Sequence, residues 1–271
     1  MKNLNLKYTG IALGLLAMVL VLFSFTRKEK APFTFVQICD TQLGFGEYNR
    51  DLENFRQAVK QINALKADFV VICGDLVNNV SDTAYRDLLE VRSMFTMPCH
   101  LAPGNHDVSN NPTESTLLYY RKTIGEDYYK FNHKGYSFLV VNTQLWKAPL
   151  EGETEKFEDW FLSALTSRED RKKDKFVIGH IPLYVEDPGE EEGYFSLAPE
   201  KRKEILQLFT EHKVRAYLTG HTHKLVINQY EGIQLVSGET TSKNFDKRPF
   251  GYRVWTVSED GATHVFVPLG S

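Results

Sequence analysis

The alternation of short apolar runs with helix-forming segments constrains the fold of this 271-residue chain more than any other feature. The runs are rich in β-branched and aromatic residues and predict three strands, at 33–39, 68–73 and 98–102. Three helices are predicted to follow them: one capped by Asn49 and running to about Leu65, and two more at 82–92 and 113–124. Strands joined by helices form a parallel sheet with right-handed crossovers, and its ligand site lies beyond the carboxyl ends of the strands.

The second half of the chain predicts a different strand arrangement. His133-Lys134-Gly135 separates the runs 129–132 and 136–142, which indicates a hairpin. A helix over 153–167 carries an aromatic and aliphatic stripe that belongs in the core: Phe157, Trp160, Phe161 and Leu165. The remaining predicted strands are 175–178, 215–218, 225–230, 233–236, 252–257 and 263–267. So many strands need two sheets, and we expect an α/β (α+β) fold, a four-layer α/β/β/α sandwich of two mixed β-sheets flanked by helices.

The first thirty residues predict a segment that enters a membrane. Residues 8–26 carry no charge and 11–25 are almost wholly apolar, with basic residues on both sides. This apolar length falls between that of a cleaved secretory signal, about 7 to 15 residues, and the ~20 residues of a spanning helix. We therefore expect 1–30 to be either a signal peptide or an N-terminal membrane anchor. The remainder, 31–271, is expected to be one exported domain, periplasmic or extracellular.

The charge balance argues against a general nucleic-acid binder. Residues 1–30 hold five Lys or Arg and one Glu, so 31–271 contain 27 basic and 34 acidic side chains, a formal charge of −7. Binding to a phosphate backbone through counterion release needs a concentrated positive surface. We expect no nucleic acid among the partners of this domain.

Polar residues with glycine neighbours follow five of the predicted strands. The five motifs are Asp40-Thr41-Gln42, Gly74-Asp75, Gly104-Asn105-His106-Asp107, Gly179-His180 and Gly220-His221-Thr222-His223. Carboxylate, amide and imidazole together are ligands for divalent ions such as Zn, Mn and Fe, whereas an oxygen-only Ca or Mg site would not call for three His. Glycine allows the tight turns that aim a short side chain back over the end of a strand. The pattern therefore indicates a metal site.

In this order the motifs resemble those of the calcineurin-like metallophosphoesterase family, across nearly the whole of 31–271. The family pattern is Asp-x-His, Gly-Asp, Gly-Asn-His-Asp/Glu, Gly-His and Gly-His-x-His, and only the first motif departs from it, since Gln42 stands in place of His. The variant Asp-x-Gln-Leu/Phe-Gly is similar to the subgroup of calcineurin-like phosphoesterase domain-containing protein 1, a phosphoprotein Ser/Thr phosphatase.

The resemblance implies a centre of two divalent metal ions, Mn, Fe or Zn. One ion would be held by Asp40 and His223, the other by Asn105, His180 and His221, and Asp75 would bridge both. A bridging carboxylate suits the ~3.5 to 4 Å separation of two-metal sites. Because a neutral amide is a poorer transition-metal ligand than imidazole, Gln42 leaves three arrangements open. In the first, Gln42 binds the metal through its side-chain oxygen. In the second, Gln42 hydrogen-bonds a metal-bound water, and in the third the site holds a single metal ion.

The resemblance also implies the reaction. A metal-bridging hydroxide would hydrolyse phosphate monoesters, with His106 as the acid that protonates the leaving oxygen and Asp107 orienting the ring of His106. The expected partners are a phosphorylated small molecule or a phosphoprotein, and a membrane through the N-terminal segment. Two alternatives stay open: a phosphodiesterase that acts on cyclic nucleotides or lipid head groups, and a non-catalytic envelope metal-binding protein. The presence of His106 favours an enzyme.

Two loops carry basic residues that could reach the phosphate of a substrate. Arg50 follows the first motif, and Lys243 and Arg248 lie in the loop 240–249. Guanidinium groups bind phosphate oxygens in pairs, although exposed basic side chains are mostly solvated. The segment 186–195 is acidic and so carries charge of the opposite sign. It is expected to be either a mobile flap that repels polyanions or a solvated loop with no role.

Overall fold

Strands and helices alternate as predicted through the first half of the chain in the computed structural model, which describes residues 30–270. The helices are α1 Tyr48–Leu65, α2 Asp82–Arg92, α3 Asn105–Val108, α4 Glu114–Thr123, α5 Gln144–Lys147, α6 Glu153–Thr166 and α7 Pro199–Glu211. The strands are β1 Phe33–Ile38, β2 Phe69–Cys73, β3 Cys99–Ala102, β4 Tyr129–His133, β5 Tyr136–Val140, β6 Lys175–Ile178, β7 Val214–Thr219, β8 Val226–Tyr230, β9 Ile233–Ser237, β10 Gly251–Ser258 and β11 Gly261–Pro268.

The strands form two mixed sheets, with the orders β11-β10-β1-β2-β3 and β4-β5-β6-β7-β9-β8. In the first sheet β1, β2 and β3 run parallel, and β10 pairs antiparallel with β1. In the second sheet β5, β6, β7 and β9 run parallel. The predicted hairpin is β4 and β5, and it forms one edge of the second sheet. Parallel strands end at the same edge of their sheet, so the motifs that follow β1, β2 and β3 are brought together, as are those after β6 and β7.

The central strands are buried on both faces, and alternate residues therefore belong to two different cores. In β1 the side chain of Phe35 packs between the sheets, whereas Val36 packs in the cluster that includes the helices. This double burial explains why the strands appear in the sequence as continuous apolar runs. The core between the sheets is aromatic: Phe138 stacks between Phe131 and Phe176, with ring centroids 5.0 Å away on each side.

The helices bury their apolar stripes against the outward faces of the strands. In α1 the buried residues include Phe55 and Ile62, and in α6 they include Phe157 and Phe161, all in the same cluster as Val36. Two mixed sheets packed face to face and flanked by helices confirm the predicted four-layer α/β/β/α sandwich.

One helix cap was predicted wrongly, and the helices α3, α5 and α7 were not predicted. The N-cap of α1 is Glu47 rather than Asn49, because the Glu47 carboxylate accepts a hydrogen bond from the backbone N–H of Arg50 at 3.2 Å. Glu is not among the residues that usually cap helices, so the pattern favoured the nearby Asn. Helix α7 was not predicted at all, although Pro199 at its first position is typical of a helix start.

The predicted leader lies outside the described residues except for Lys30, and its division from the domain at residue 31 stays a prediction. Pro32–Ser271 forms one compact unit. Within residues 30–270, none of the helices is both long enough and apolar enough to cross a membrane.

We expect Phe138→Ala to lower the free energy of unfolding by about 3–5 kcal/mol, because it empties a fully buried position between two stacked rings. Val265→Ala is the control, since the Val265 side chain is 62% exposed on β11 and its truncation should cost less than ~0.5 kcal/mol. Urea unfolding followed by circular dichroism measures both changes. Similar losses in the two variants would contradict the assignment of the core between the sheets.

Candidate metal centre

Six of the seven predicted ligands meet where the loops after β1, β2, β3, β6 and β7 converge. Two groups of three residues have ligand atoms within 4.8 Å of one another: Asp40, Asp75 and His223, and Asp75, His180 and His221. Asn105 adjoins the second group, since its Oδ1 lies 3.1 Å from His180 Nε2. Asp75 belongs to both groups, as a bridging carboxylate must. The seventh residue, Gln42, is tied to this centre by a 2.8 Å hydrogen bond from its backbone N–H to the carbonyl of Asp75.

A backbone carbonyl holds each of the three histidine rings. Nδ1 of His180 lies 2.8 Å from the carbonyl oxygen of Cys73, Nδ1 of His223 contacts that of Lys243, and Nε2 of His221 lies 3.0 Å from that of Tyr194. A neutral ring that donates one N–H in this way presents its other nitrogen as a ligand. The nitrogens available to a metal are therefore Nε2 of His180, Nε2 of His223 and Nδ1 of His221.

The centre buries negative charge without the usual cationic side chains. Asp40, Asp75 and Asp107 are at most 2% exposed, and among residues 30–270 no Lys or Arg forms an ion pair with any of them. Burial raises the pKa of Asp40, and burial together with the charge of Asp75 raises the pKa of Asp107 to about 7. Bound divalent cations would neutralise this charge.

Asp75 and His180 shift each other's pKa in opposite directions. Burial by itself raises the pKa of Asp75, but the charge and hydrogen bond of His180 hold it well below its ordinary value. For His180 burial lowers the pKa, yet the charge and hydrogen bond of Asp75 raise it to about 9. The two side chains lie 3.2 Å apart, Nε2 to Oδ2, so a proton on Nε2 would have to be released before His180 could bind a metal ion through that nitrogen.

Two buried oxygens of the first motif have no hydrogen-bond partner, Asp40 Oδ2 and Gln42 Oε1. Gln42 is fully buried, and its Nε2 donates to Asn78 Oδ1 at 3.4 Å while its oxygen stays unpaired. Leaving a buried acceptor unsatisfied costs about 1–3 kcal/mol, which a bound cation would remove. The residues therefore fit a metal ion. The unpaired oxygen suits two of the three arrangements open to Gln42, ligation through Oε1 and a hydrogen bond from a metal-bound water.

The backbone is strained at the predicted ligands. Five of the seven have a positive φ: Asp40 at 50°, Gln42 at 28°, Asp75 at 47°, His221 at 68° and His223 at 50°. Non-glycine residues in this region cost of order 1–3 kcal/mol each and cluster at functional sites. The neighbouring glycines permit close approach, since a Cβ on Gly104 would lie 2.2 Å from the backbone nitrogen of Asp75. The strain is consistent with a site selected for function rather than for stability.

His106 lies beside the centre, but Asp107 does not orient its ring as predicted. The backbone N–H of His106 donates to Asp75 Oδ1 at 2.9 Å, and its Nδ1 lies 2.8 Å from the carbonyl oxygen of Asn78. The Asp107 carboxylate instead accepts hydrogen bonds from the backbone N–H groups of Gly104, at 2.8 Å, and Leu76, at 3.1 Å. The Asp107 carboxylate can accept from the Gly104 N–H because Asp107 lies in the first turn of α3. Nε2 of His106 is the ring nitrogen that the Asn78 carbonyl does not hold.

The acidic segment 186–195 is anchored to the domain. The fully buried guanidinium of Arg202 donates hydrogen bonds to the carbonyls of four loop residues, Leu183, Pro188, Glu190 and Leu197. The loop carries Tyr194 to the centre, where its carbonyl holds His221 and its hydroxyl lies 3.3 Å from Asn105 Nδ2. Sequence reasoning missed Tyr194, because a carbonyl contact leaves no signal in residue type.

The three basic residues predicted for substrate lie in different surroundings. The Nζ of Lys243 lies 4.9 Å above the ring of Phe45, whose centroid is 5.0 Å from that of His223. Arg248 forms an ion pair with Glu239 at 3.1 Å, and Arg50 lies 4.0 Å from Asp51. Among residues 30–270 neither guanidinium forms an ion pair with a predicted metal ligand. Of the three, Lys243 is the one beside the centre.

Comparisons with known proteins agree with this arrangement. The family model for calcineurin-like phosphoesterases matches residues 33–225. Serine/threonine-protein phosphatase CPPED1 of Bos taurus is 33% identical over 270 residues, covering 90% of this chain and 86% of that protein. A probable cyclic nucleotide phosphodiesterase of Vesicomyosocius okutanii is 21% identical over 235 residues, covering 84% of this chain and 95% of that protein.

Among solved structures, a dimetal phosphatase from Danio rerio has a TM-score of 0.65 at 15% identity, covering 88% of this chain and 99% of that one. This likeness extends the agreement to the fold. The match to the family model covers more than half of the sequence and includes all five motifs that follow the strands. This chain belongs to the calcineurin-like phosphoesterase family.

Proposed function

We propose that this member of the family is a phosphomonoesterase that removes phosphate from Ser or Thr of a phosphoprotein. As a calcineurin-like phosphoesterase the chain is a metal-dependent hydrolase of phosphoric esters. The observation that supports metal-dependent ester hydrolysis at this site is Asp75, shared by two groups of possible ligands, with the backbone N–H of His106 bonded to it. The similarity to CPPED1, named as a serine/threonine-protein phosphatase, supports a protein substrate.

The ligands divide into two sets that share Asp75. Asp40, His223 and the Gln42 oxygen would hold one ion, and Asn105, His180 and His221 the other. When bound, two divalent ions, Mn, Fe or Zn, would supply Lewis acidity and an activated water, and would attract the anionic ester to a domain of formal charge −7. The carbonyls that hold the histidine rings keep their free nitrogens aimed at the centre.

His106 supplies the proton for the leaving oxygen. Because Nδ1 is held by the carbonyl of Asn78, the ring is oriented and Nε2 is the nitrogen that transfers a proton to the departing alcohol. Asp107 acts as a positioning residue, since its bonds to Gly104 and Leu76 fix the turn that carries His106. Of the basic side chains, we propose Lys243 for contact with a phosphate oxygen, since its Nζ lies above the ring of Phe45 next to His223.

A phosphodiesterase is the second candidate, favoured by the relative named as a probable cyclic nucleotide phosphodiesterase. The metal ligands serve both reactions equally, so the two candidates are separated by comparing the hydrolysis rates of phosphate monoesters and diesters. A non-catalytic envelope metal-binding protein is the candidate of another class, and the intact His106 argues against it.

The location of the enzyme is a proposal that rests on the sequence of residues 1–30. We propose that this segment exports the domain 31–271 to the periplasm or the extracellular side, and that it keeps the domain at the membrane if it is not cleaved. Protease added outside intact cells, or to spheroplasts of a bacterial host, should then digest the domain. Complete protection until the cytoplasmic membrane is lysed would contradict export.

We expect the Mn²⁺-loaded protein to hydrolyse p-nitrophenyl phosphate and a phosphoserine peptide faster than bis-p-nitrophenyl phosphate. Asp75→Ala should lower kcat/KM by roughly 10³-fold and reduce the bound metal, because the shared ligand contributes to both ions and metals stabilise the transition state by several kcal/mol. Asp159→Ala, which removes an exposed carboxylate of α6, is the control. Preference for the diester would support the second candidate. A metal-replete protein without turnover of either ester would contradict both enzyme proposals.

We expect His106→Asn to affect esters of poor leaving groups most. General acid catalysis contributes about 10²–10⁴-fold, and it is needed less when the leaving group is as acidic as p-nitrophenol. Steady-state rates should therefore fall about 10²-fold or more for a phosphoserine peptide and much less for p-nitrophenyl phosphate. Metal content serves as the control and should not change. Equal losses on both substrates would show that His106 is not the acid.

A further inference from the structure

A groove of about 580 Å³ borders His106 and has no role in the reaction described above. It is formed by the loop after β2, the residue after α3 and the start of α4. Most of its lining can donate or accept hydrogen bonds without carrying charge: Asn78, Asn79, Ser81, Ser109, Ser115 and Thr116. The exposed side chain of Val80 adds an apolar contact. Such a surface is suited to an extended, neutral, hydrogen-bonding chain.

One side chain gives this groove its charge. Neither Lys nor Arg lines it within the described part of the chain, and its carboxylates are Asp82 and Asp107. Asp107 is buried and bonded to backbone N–H groups, whereas Asp82 is exposed at the start of α2. Tyr119, which also lines the groove, donates its hydroxyl hydrogen to Asp82 and holds it at the surface. The groove therefore combines a polar, uncharged lining with one exposed negative charge, that of Asp82.

We propose that this groove is the leaving-group subsite, which binds the polypeptide beside the phosphorylated residue and selects through Asp82 for a basic residue there. The inference rests on the proposed phosphomonoesterase function. To protonate the leaving oxygen, His106 must touch it, so the atoms attached to that oxygen continue into the space that His106 borders. Backbone amides of a peptide find partners in the Asn, Ser and Thr side chains. Asp82 attracts Lys or Arg and repels an acidic flank or a second phosphate.

Two phosphoserine peptides that differ only in having Arg or Glu on both sides of the phosphoserine test the proposal. The Mn²⁺-loaded protein should favour the Arg peptide by about 3- to 10-fold in kcat/KM at low salt, and less at high salt because exposed charges are screened. Asp82→Asn should reduce this preference and Asp82→Lys should reverse it. p-Nitrophenyl phosphate, too short to fill the groove, should be hydrolysed by all variants within about twofold of the wild-type rate.

Glu90→Gln is the matched control, because it removes one exposed negative charge from the same helix about two turns away. It should leave the preference between the peptides unchanged.

If Asp82→Lys keeps the wild-type preference while hydrolysing p-nitrophenyl phosphate normally, the subsite proposal is overturned and the proposed phosphatase function stands. An equal loss of preference in Glu90→Gln would also overturn it, since overall charge would then explain the effect. If the wild-type protein hydrolyses no phosphomonoester, the proposed function fails and the subsite with it. Should Asp82→Lys not fold, Asp82→Asn decides.

Discussion

The buried carboxylate of Asp75, placed between two sets of ligands, is the constraint on which the rest of the site depends. It lies in both groups of possible metal ligands, accepts the backbone N–H of His106 and lowers its own pKa by pairing with His180. With Asp40 and Asp107 it gathers negative charge that no Lys or Arg of the described residues neutralises by an ion pair. An arrangement of this kind is costly in a protein that binds no cation, and useful in one that does.

The sandwich supplies the rigidity that this centre needs. Strands of both sheets end at the centre, and the ring of Phe138 in the second sheet packs edge-on against Phe35 and Phe69 of the first, which holds the two sheets together beneath it. The strained backbone at Asp40, Asp75, His221 and His223 is tolerated because it follows strands that are buried on both faces. Loops contribute the finer positioning, since the carbonyls of Tyr194 and Asn78 hold rings that the strands alone would leave free to rotate.

Much of the fold and of the centre could be predicted from the sequence. The apolar runs predicted the strands because burial on both faces excludes polar residues from them. The five motifs after the strands, in the order typical of the family, predicted six residues that the structure brings together. Features made by backbone atoms could not be predicted. The carbonyl of Asn78, rather than Asp107, contacts the His106 ring, and any residue type could provide that carbonyl. The cap at Glu47 was missed because Glu is not among the usual capping residues, and the helix Pro199–Glu211 was missed although Pro199 is typical of a helix start. The groove beside His106 is assembled from three segments distant in sequence, and no local pattern marks it.

The most direct test of the account is to locate bound metal by anomalous scattering from crystals of the full chain grown with Mn²⁺. The account predicts two peaks separated by ~3.5 to 4 Å, with Asp75 contacting both, the Gln42 oxygen on the side of Asp40, and His180 on the other side. A single peak that Asp75 does not touch, or no peak at this edge of the sheets, would contradict the claim that the buried carboxylate exists to join two metal ions.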